Sequence, residues 1–382
     1  MPTRFESLSQ RLREAWKPHK QPTTPRAYRC QCGRPVFFHN TQCLACGTPL
    51  GYEPDRGEVL PLAAGDRDGE WALFHQPVTG RRYRRCGNFG SPAGCNWLVP
   101  LDADGQAPNL CAACRLNRTI PDLSVPENLP LWSRTEAEKR RLVSQLIALG
   151  LPVTPKAEDP VHGLAFDFLR PLDGQPVMTG HADGVITLNL EEADDAKREQ
   201  MRSQMHEPYR TLLGHFRHEI GHYYWDRLVR DTDWLPQVRA LFGDDREDYA
   251  EALRRNYEQG PPPDWPQRFV SAYASCHPWE DWAETWAHYL HMVDTVDTAL
   301  SFGIDAEQVE LDAEPWGTDA LWRPDDPGAE AFLGFLNAWV ELTAVLNEMS
   351  RAMGQPDFYP FVLPRPAVGK LQMIHRIVQG PA

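Results

Sequence analysis

Apolar residues recur three and four apart along much of the second half of the chain and alternate in short runs in the first half. Near the start, Phe5, Leu8, Leu12 and Trp16 make a narrow stripe at helical spacing, which predicts a short helix docked on the body. The competing reading is a partner-binding arm. Pro18, Pro22 and Pro25 then break the chain. Residues 71–75 and 81–85 read as short strands, and the prolines between 120 and 135 as a linker. Ser133-Arg134-Thr135-Glu136 forms a capping box that predicts a helix start. Leu142, Val143, Leu146, Ile147 and Leu149 give that helix a buried face, and Gly150 ends it. Residues 164–168 alternate as a strand, and 176–182 and 185–190 flank the Asp183-Gly184 turn as a hairpin. A charged, solvated helix follows over 191–202. Pro208 opens a long helix to about Arg230, surrounded by Leu212, Leu213, Phe216, Ile220, Tyr223, Tyr224 and Leu228 and therefore buried on most sides. After the segment 234–242 a charged helix is predicted near 246–258, and further helices from Pro278, over 329–353 and over 364–378. The helix over 329–353 has Phe332, Phe335, Leu336, Trp339, Leu342, Val345 and Leu346 as its core face.

Composition adds bounds. A chain of 382 residues suggests two or three domains, and 42% hydrophobic with 24% charged residues is ordinary for globular proteins. The 35 prolines point to many fixed loops. The first twenty residues hold no apolar run, so no signal peptide is predicted. The apolar stretch 332–346 is interrupted by Glu341 and reads as too short to span a bilayer. Eight of the nine cysteines fall into two groups with metal-like spacing, a usage that fits a reducing compartment and predicts a cytoplasmic protein without membrane association. The formal net charge of −14 is uneven: residues 1–120 carry 16 Lys+Arg against 10 Asp+Glu, the remainder 23 against 43. An acidic body argues against nonspecific nucleic-acid binding. The basic run Arg81-Arg82-Tyr83-Arg84-Arg85 is accordingly read as a solvated strand face.

The cysteine groups carry the first chemistry. Cys30 and Cys32, then Cys43 and Cys46 followed by Gly47, are two close pairs on turns that aim four thiolates at one tetrahedral zinc. With every position filled, that zinc is structural. Cys86, Cys95, Cys111 and Cys114 form a looser second set, with Asn88, Gly90, Pro92 and Gly94 making a loop able to fold round an ion. His39 and His75 are spare ligands that four cysteines make unnecessary.

The long buried helix carries the second. His218-Glu219-Ile220-Gly221-His222 is an HExxH motif: His218 and His222 share one face and can grip one zinc, and Glu219 can reach a water there as general base. A buried helix does not carry such residues without partners. The competing reading is a surface helix with two histidines. A catalytic zinc wants a third protein ligand and an open position. The metzincin continuation is excluded, because Trp225 and Leu228 stand where Gly and His are needed. Downstream, Pro278 in the first turn of a helix, capped by His277 or Ser275, puts Glu280, Glu284, His288 and His291 on one face. Glu280 is the chosen third ligand, with His288 and His291 as rivals, and Glu284 one turn on would hydrogen-bond a ligand His. His215 and His288 are placed where they can line a cleft; for His215 the competing reading is a hydrogen-bonded core histidine. Cys276, four residues before Glu280, reads as a packed thiol rather than a latency switch.

HEIGH followed by EDWAE resembles a gluzincin, and more narrowly a family of bacterial zinc-binding metallopeptidases with an N-terminal zinc ribbon. The runs 180–184, 207–217 and 277–284 carry that resemblance. It implies an α+β zincin-like domain: a small antiparallel sheet over the active-site helix, its edge hairpin at 185–190 holding the substrate backbone, and a mostly helical C-terminal part. It implies that Tyr273, seven residues ahead of Glu280, steadies an oxyanion. The expected organisation is an arm over 1–27, a zinc-ribbon module over 28–120 with two four-cysteine sites, and the peptidase domain over 121–382. The expected activity is zinc-dependent hydrolysis of a peptide or protein substrate, with one catalytic and one or two structural zinc ions. The competing function is a catalytically silent adaptor that docks a protein partner through the ribbon; an intact Glu219 and Tyr273 count against it.

Overall fold

The computed structural model describes residues 26–74, 80–171, 175–205, 207–304 and 314–380. The apolar stripe from Phe5 to Trp16 and the spare ligand His75 lie outside the described residues. The chain forms two compact units, one ending at Met201 and one running on from Arg202.

In the N-terminal unit, β1 (Tyr28–Arg29) and β2 (Pro35–Val36) pair as a small antiparallel ribbon. Five antiparallel strands follow in sequential order: β3 (Leu50–Glu53), β4 (Glu58–Ala64), β5 (Trp71–Leu73), β6 (Arg82–Arg85) and β7 (Leu98–Pro100). Tyr83 is buried with Leu62, Leu73 and Leu98, while the neighbouring arginines turn outward. Arg81 pairs with Asp55 at 2.6 Å and Arg82 with Asp66 at 3.1 Å, so those two basic side chains of the run face carboxylates of their own unit.

A four-stranded sheet completes the unit, in the order β10 (Gly180–Ala182), β11 (Val185–Asn189), β9 (Ala165–Leu169), β8 (Asn117–Thr119). It is mixed rather than antiparallel. β9 is parallel to both β8 and β11, and only the β10–β11 hairpin is antiparallel. The parallel pair β8–β9 needs a crossover, and α1 (Asn128–Ala148) supplies it. The hairpin turn has positive φ at Asp183 (49°) and Gly184 (72°), which matches the twist of the strands it joins. A Cβ on Gly184 would also stand 2.4 Å from the Gly163 carbonyl.

Helix α1 begins at Asn128, five residues before the capping box suggested. Pro130 is tolerated because the first turn has no use for its missing N–H. Thr135 Oγ donates to Leu131 O, and Glu136 is buried, taking Nζ of Lys139 at 2.7 Å. The box residues therefore serve the helix interior.

After α2 (Asp195–Gln204), which buries no residue, the C-terminal unit is built on α3 (Leu212–Leu228). That helix starts four residues after Pro208, where Thr211 is extended and its Oγ accepts from Gly214 N at 3.0 Å. Then come α4 (Leu235–Phe242), α5 (Tyr249–Gln259), α6 (Pro278–Ser301), α7 (Ala329–Ala352) and α8 (Arg365–Gln379). Helix α7 has 24 residues, as the predicted span 329–353 implies, and by length and composition alone it could cross a membrane, which its apolar stretch 332–346 was expected to be too short to do. Its face is used within the unit: Phe332 and Phe335 meet the His375 ring, and Trp339 meets Tyr359 edge-on.

His375 on α8 gives the unit an acid-sensitive joint. It is buried, its Nδ1 lies 3.0 Å from the Tyr289 hydroxyl of α6, and Gln379 donates to its Nε2 at 2.8 Å. Burial, aided by Arg376, lowers its pKa to about 4. The unfolded chain takes up this proton near 6.5, the folded chain only near 4. The stabilisation is therefore complete above about 6.5 and drains away as pH falls towards 4, by roughly 3 kcal/mol in all. Urea titrations at pH 7 and pH 5 check this: His375→Gln should lose less stability between the two than the parent, and equal losses would refute it.

Candidate active site

Three packing features set α3 against α6, and one ties α6 to α8. Gly221 lets them close: a Cβ there would stand 3.0 Å from Ala283 Cα and 3.2 Å from Trp286 Cβ. Trp282 Nε1 donates to Gly221 O at 2.9 Å. Arg217 and Asp294 form a buried ion pair at 2.8 Å, and Asp281 takes Nζ of Lys370 on α8 at 2.5 Å. The start of α6 is fixed by His277, whose Nδ1 accepts from Trp279 N at 3.0 Å, with Pro278 as first helical residue.

This packing brings one atom each from His218, His222 and Glu280 together. The two Nε2 atoms are 3.2 Å apart, and Glu280 Oε2 lies 3.0 Å from that of His218 and 3.5 Å from that of His222. Ligands about 2.0–2.1 Å from a tetrahedral zinc stand roughly 3.4 Å from one another. The donor set fits chemically as well. His218 Nδ1 donates to Glu284 Oε1 at 2.7 Å, which leaves its Nε2 lone pair facing the other two atoms. Glu280 Oε2 is buried with no hydrogen-bond donor. Three lone pairs so disposed call for a cation. The electrostatics agree: burial opposes the protonated form of His218, but Glu280 and Glu284 outweigh it and raise its pKa well above the ordinary range.

Glu219 lies one position round α3 from His218. It is 8% exposed, and its carboxylate receives no hydrogen bond from the described residues. Burial raises its pKa, against the pull of His218 and His222. His215, half-buried one turn earlier, is near enough to pull the same way. Tyr273 sits in a short turn (Tyr273–Ser275) before α6, its ring 5.9 Å from that of His218. Burial and then the Glu280 charge keep its hydroxyl protonated far beyond the ordinary range.

The remaining predicted residues go elsewhere. His288 is buried against Tyr359 and Phe361, its Nδ1 bonded to the Tyr359 hydroxyl; burial lowers its pKa to about 4. His291 Nδ1 lies 2.7 Å from Arg217 Nη1. Neither joins the three-atom group. Cys276 is a buried thiol, pushed up to about 11 by burial and by Glu280.

Three contacts were not legible in the sequence. The Tyr249 hydroxyl donates to Glu280 Oε1 at 2.6 Å, Ser271 Oγ donates to Glu284 Oε2 at 2.6 Å, and the Trp279 ring lies 4.0 Å from that of His222. Only Trp279 had a local signal, its place beside Glu280 behind the helix cap.

The N-terminal unit holds two further clusters, and none of the nine cysteines forms a disulfide. In the first, Cys30 O accepts from Gly33 N and Cys43 O from Gly47 N, making two knuckles. Their sulfurs pair Cys30–Cys46 at 3.5 Å and Cys32–Cys43 at 3.8 Å, with Cys32 and Cys46 exposed. In the second, Cys86, Cys95, Cys111 and Cys114 are all buried; Cys95 and Cys111 sulfurs are 3.6 Å apart, and Cys111 N donates to Cys86 Sγ at 3.4 Å. Sulfurs 2.3 Å from a tetrahedral zinc stand about 3.8 Å apart, so both clusters fit that ion.

Comparison with known proteins agrees with both halves of this picture. A family model described as "Putative zinc-binding metallo-peptidase" matches residues 128–377, and a zinc-ribbon domain model matches residues 27–125. Uncharacterized proteins of Mycobacterium bovis and of two Mycobacterium tuberculosis strains are each 43% identical over 359 residues, covering 94% of this chain and 96% of the relative. No solved structure matches.

Proposed function

The chain belongs to this family of zinc-binding metallo-peptidases, and from that premise we propose that it hydrolyses peptide bonds at the cluster formed by α3 and α6. One observation carries the reading. Three buried or half-buried ligand atoms converge within 3.5 Å beside Glu219, a buried carboxylate that no described residue hydrogen-bonds. A purely structural site has no use for that carboxylate, and an unpaired buried charge is costly to keep.

His218, His222 and Glu280 would hold zinc, which would supply Lewis acidity for hydrolysis. Glu219 takes a proton from the attacking water and returns it to the departing amine. Tyr273 offers its O–H to the oxygen that gains charge on the peptide carbonyl. Glu284 holds His218 in the tautomer that presents Nε2. The two four-cysteine clusters serve the N-terminal unit as structural zinc sites, with a protein substrate as the partner of the whole chain.

The test exposes a broad peptide library to the purified chain and reads new termini by mass spectrometry, before zinc is stripped by chelator and after it is restored. Cuts that vanish on stripping and return with zinc support the reading. Silence from the zinc-loaded chain, or cutting that ignores the chelator, sinks it.

A further inference from the structure

The two oxygens of Glu280 have different partners. Oε2 faces the imidazoles of His218 and His222, and Oε1 takes the Tyr249 hydroxyl at 2.6 Å. Tyr249 comes from outside both ligand helices, at the first position of α5. Its placement is fixed twice over. Asp248 caps α5, its carboxylate accepting from Glu251 N at 3.0 Å, which makes Tyr249 the first helical residue. The ring stands edge-on to His277 at 5.3 Å and to Trp279 at 5.6 Å, and His277 Nε2 meets Glu247 O at 3.1 Å. The residue that caps α6 thus also anchors the chain just ahead of Tyr249. The same α6 turn offers the ligand oxygen and the platform for the phenol that holds its neighbour.

We propose that Tyr249 is a positioning residue that holds Glu280 to one-oxygen binding of the metal and so keeps the fourth coordination position open for substrate. A carboxylate is free to bind a cation through one oxygen or two. A short hydrogen bond to Oε1 occupies the lone pair that the second mode needs, and it fixes the carboxylate plane so that Oε2 points at the imidazoles. Without the hydroxyl, Glu280 is free to chelate, adding a fifth donor that crowds the position the reaction requires, and its orientation is no longer set in advance.

The inference rests on the zinc reading of this site but not on peptide hydrolysis, and its test reads the metal. The two cysteine sites keep their zinc while the more labile third ion is withdrawn and titrated back against a chromogenic chelator. In Tyr249→Phe the dissociation constant of that ion should rise roughly 10- to 100-fold, the usual cost of losing a hydrogen bond that orients a ligand. Cobalt(II) taken up in its place should lose visible band intensity, as expected when four-coordinate becomes five-coordinate. Tyr257→Phe is the control: it removes from the same helix a hydroxyl whose hydrogen-bond partner is Tyr273 and which feels the Glu280 charge without hydrogen-bonding that carboxylate. It should leave both readings at parent values. An unchanged dissociation constant and band in Tyr249→Phe would overturn the proposal, as would an equal loss in Tyr257→Phe, which would assign the effect to α5 as a whole. A parent chain that binds the third zinc but cuts no peptide would refute the proposed function and leave this inference standing.

Discussion

Glu219→Gln lowers kcat on any peptide the chain cuts by roughly 10²- to 10⁴-fold, the usual contribution of a general base. Glutamine keeps the shape and burial of the side chain, but its amide cannot accept the proton from water or deliver it to the leaving amine. KM changes little, because Glu219 lies beside the three-atom group and is not part of it. Zinc content is unchanged for the same reason. Stability holds or rises slightly, since the substitution removes a buried carboxylate that no described residue hydrogen-bonds. Steady-state rates, metal analysis and a thermal melt on the same preparation decide the matter. A variant that keeps a tenth or more of the activity, or that loses zinc, removes Glu219 from the role given to it.

What could be read in the sequence were features set by spacing within one element. His218 and His222 share a helical face by arithmetic, and Pro278 behind His277 marks a helix start that puts Glu280 in the first turn. The cysteine pairs are turns whose geometry is local. Features that depend on a partner far along the chain were not legible. Tyr249 reaches Glu280 across 31 residues from a helix whose charged sequence carries no mark of that contact. Gly221 looks like filler inside the motif until Ala283 and Trp286 are seen to press on it. The parallel pairing of β8 with β9 was hidden because β8 has three residues and its crossover helix was expected to start later. Local signals misled where tertiary burial recruited the same residues. Glu136 reads as the closing member of a capping box, yet it sits in the core with Lys139.

Cys111→Ser should remove one zinc per chain and unfold much of the N-terminal unit, whereas Cys32→Ser should cost far less. The two clusters hold the same four ligands but differ in what they tie together. The first closes two surface knuckles, with Cys32 and Cys46 exposed. The second is buried and joins three segments: Cys86 follows β6, Cys95 precedes β7, and Cys111 and Cys114 precede β8. It also reaches α1, since Cys114 Sγ lies 3.8 Å from Glu136 Oε2, and Lys139 bridges Glu136 to Asn117 on β8. Lys139 is buried here, and its charge favours the Cys114 thiolate. Serine oxygen is a poor ligand for a divalent zinc ion, and without that ion the three segments lose the bond that joins them. Structural zinc contributes on the order of 10 kcal/mol in small folds. A domain with about 5–15 kcal/mol in hand cannot lose most of that and stay folded. Limited proteolysis and far-UV circular dichroism at 25 °C, with zinc counted per chain, read the result. Full zinc content with the parent's protease resistance in Cys111→Ser would mean that the second cluster is a packed set of thiols and that zinc at the first site, if any, is all the unit holds.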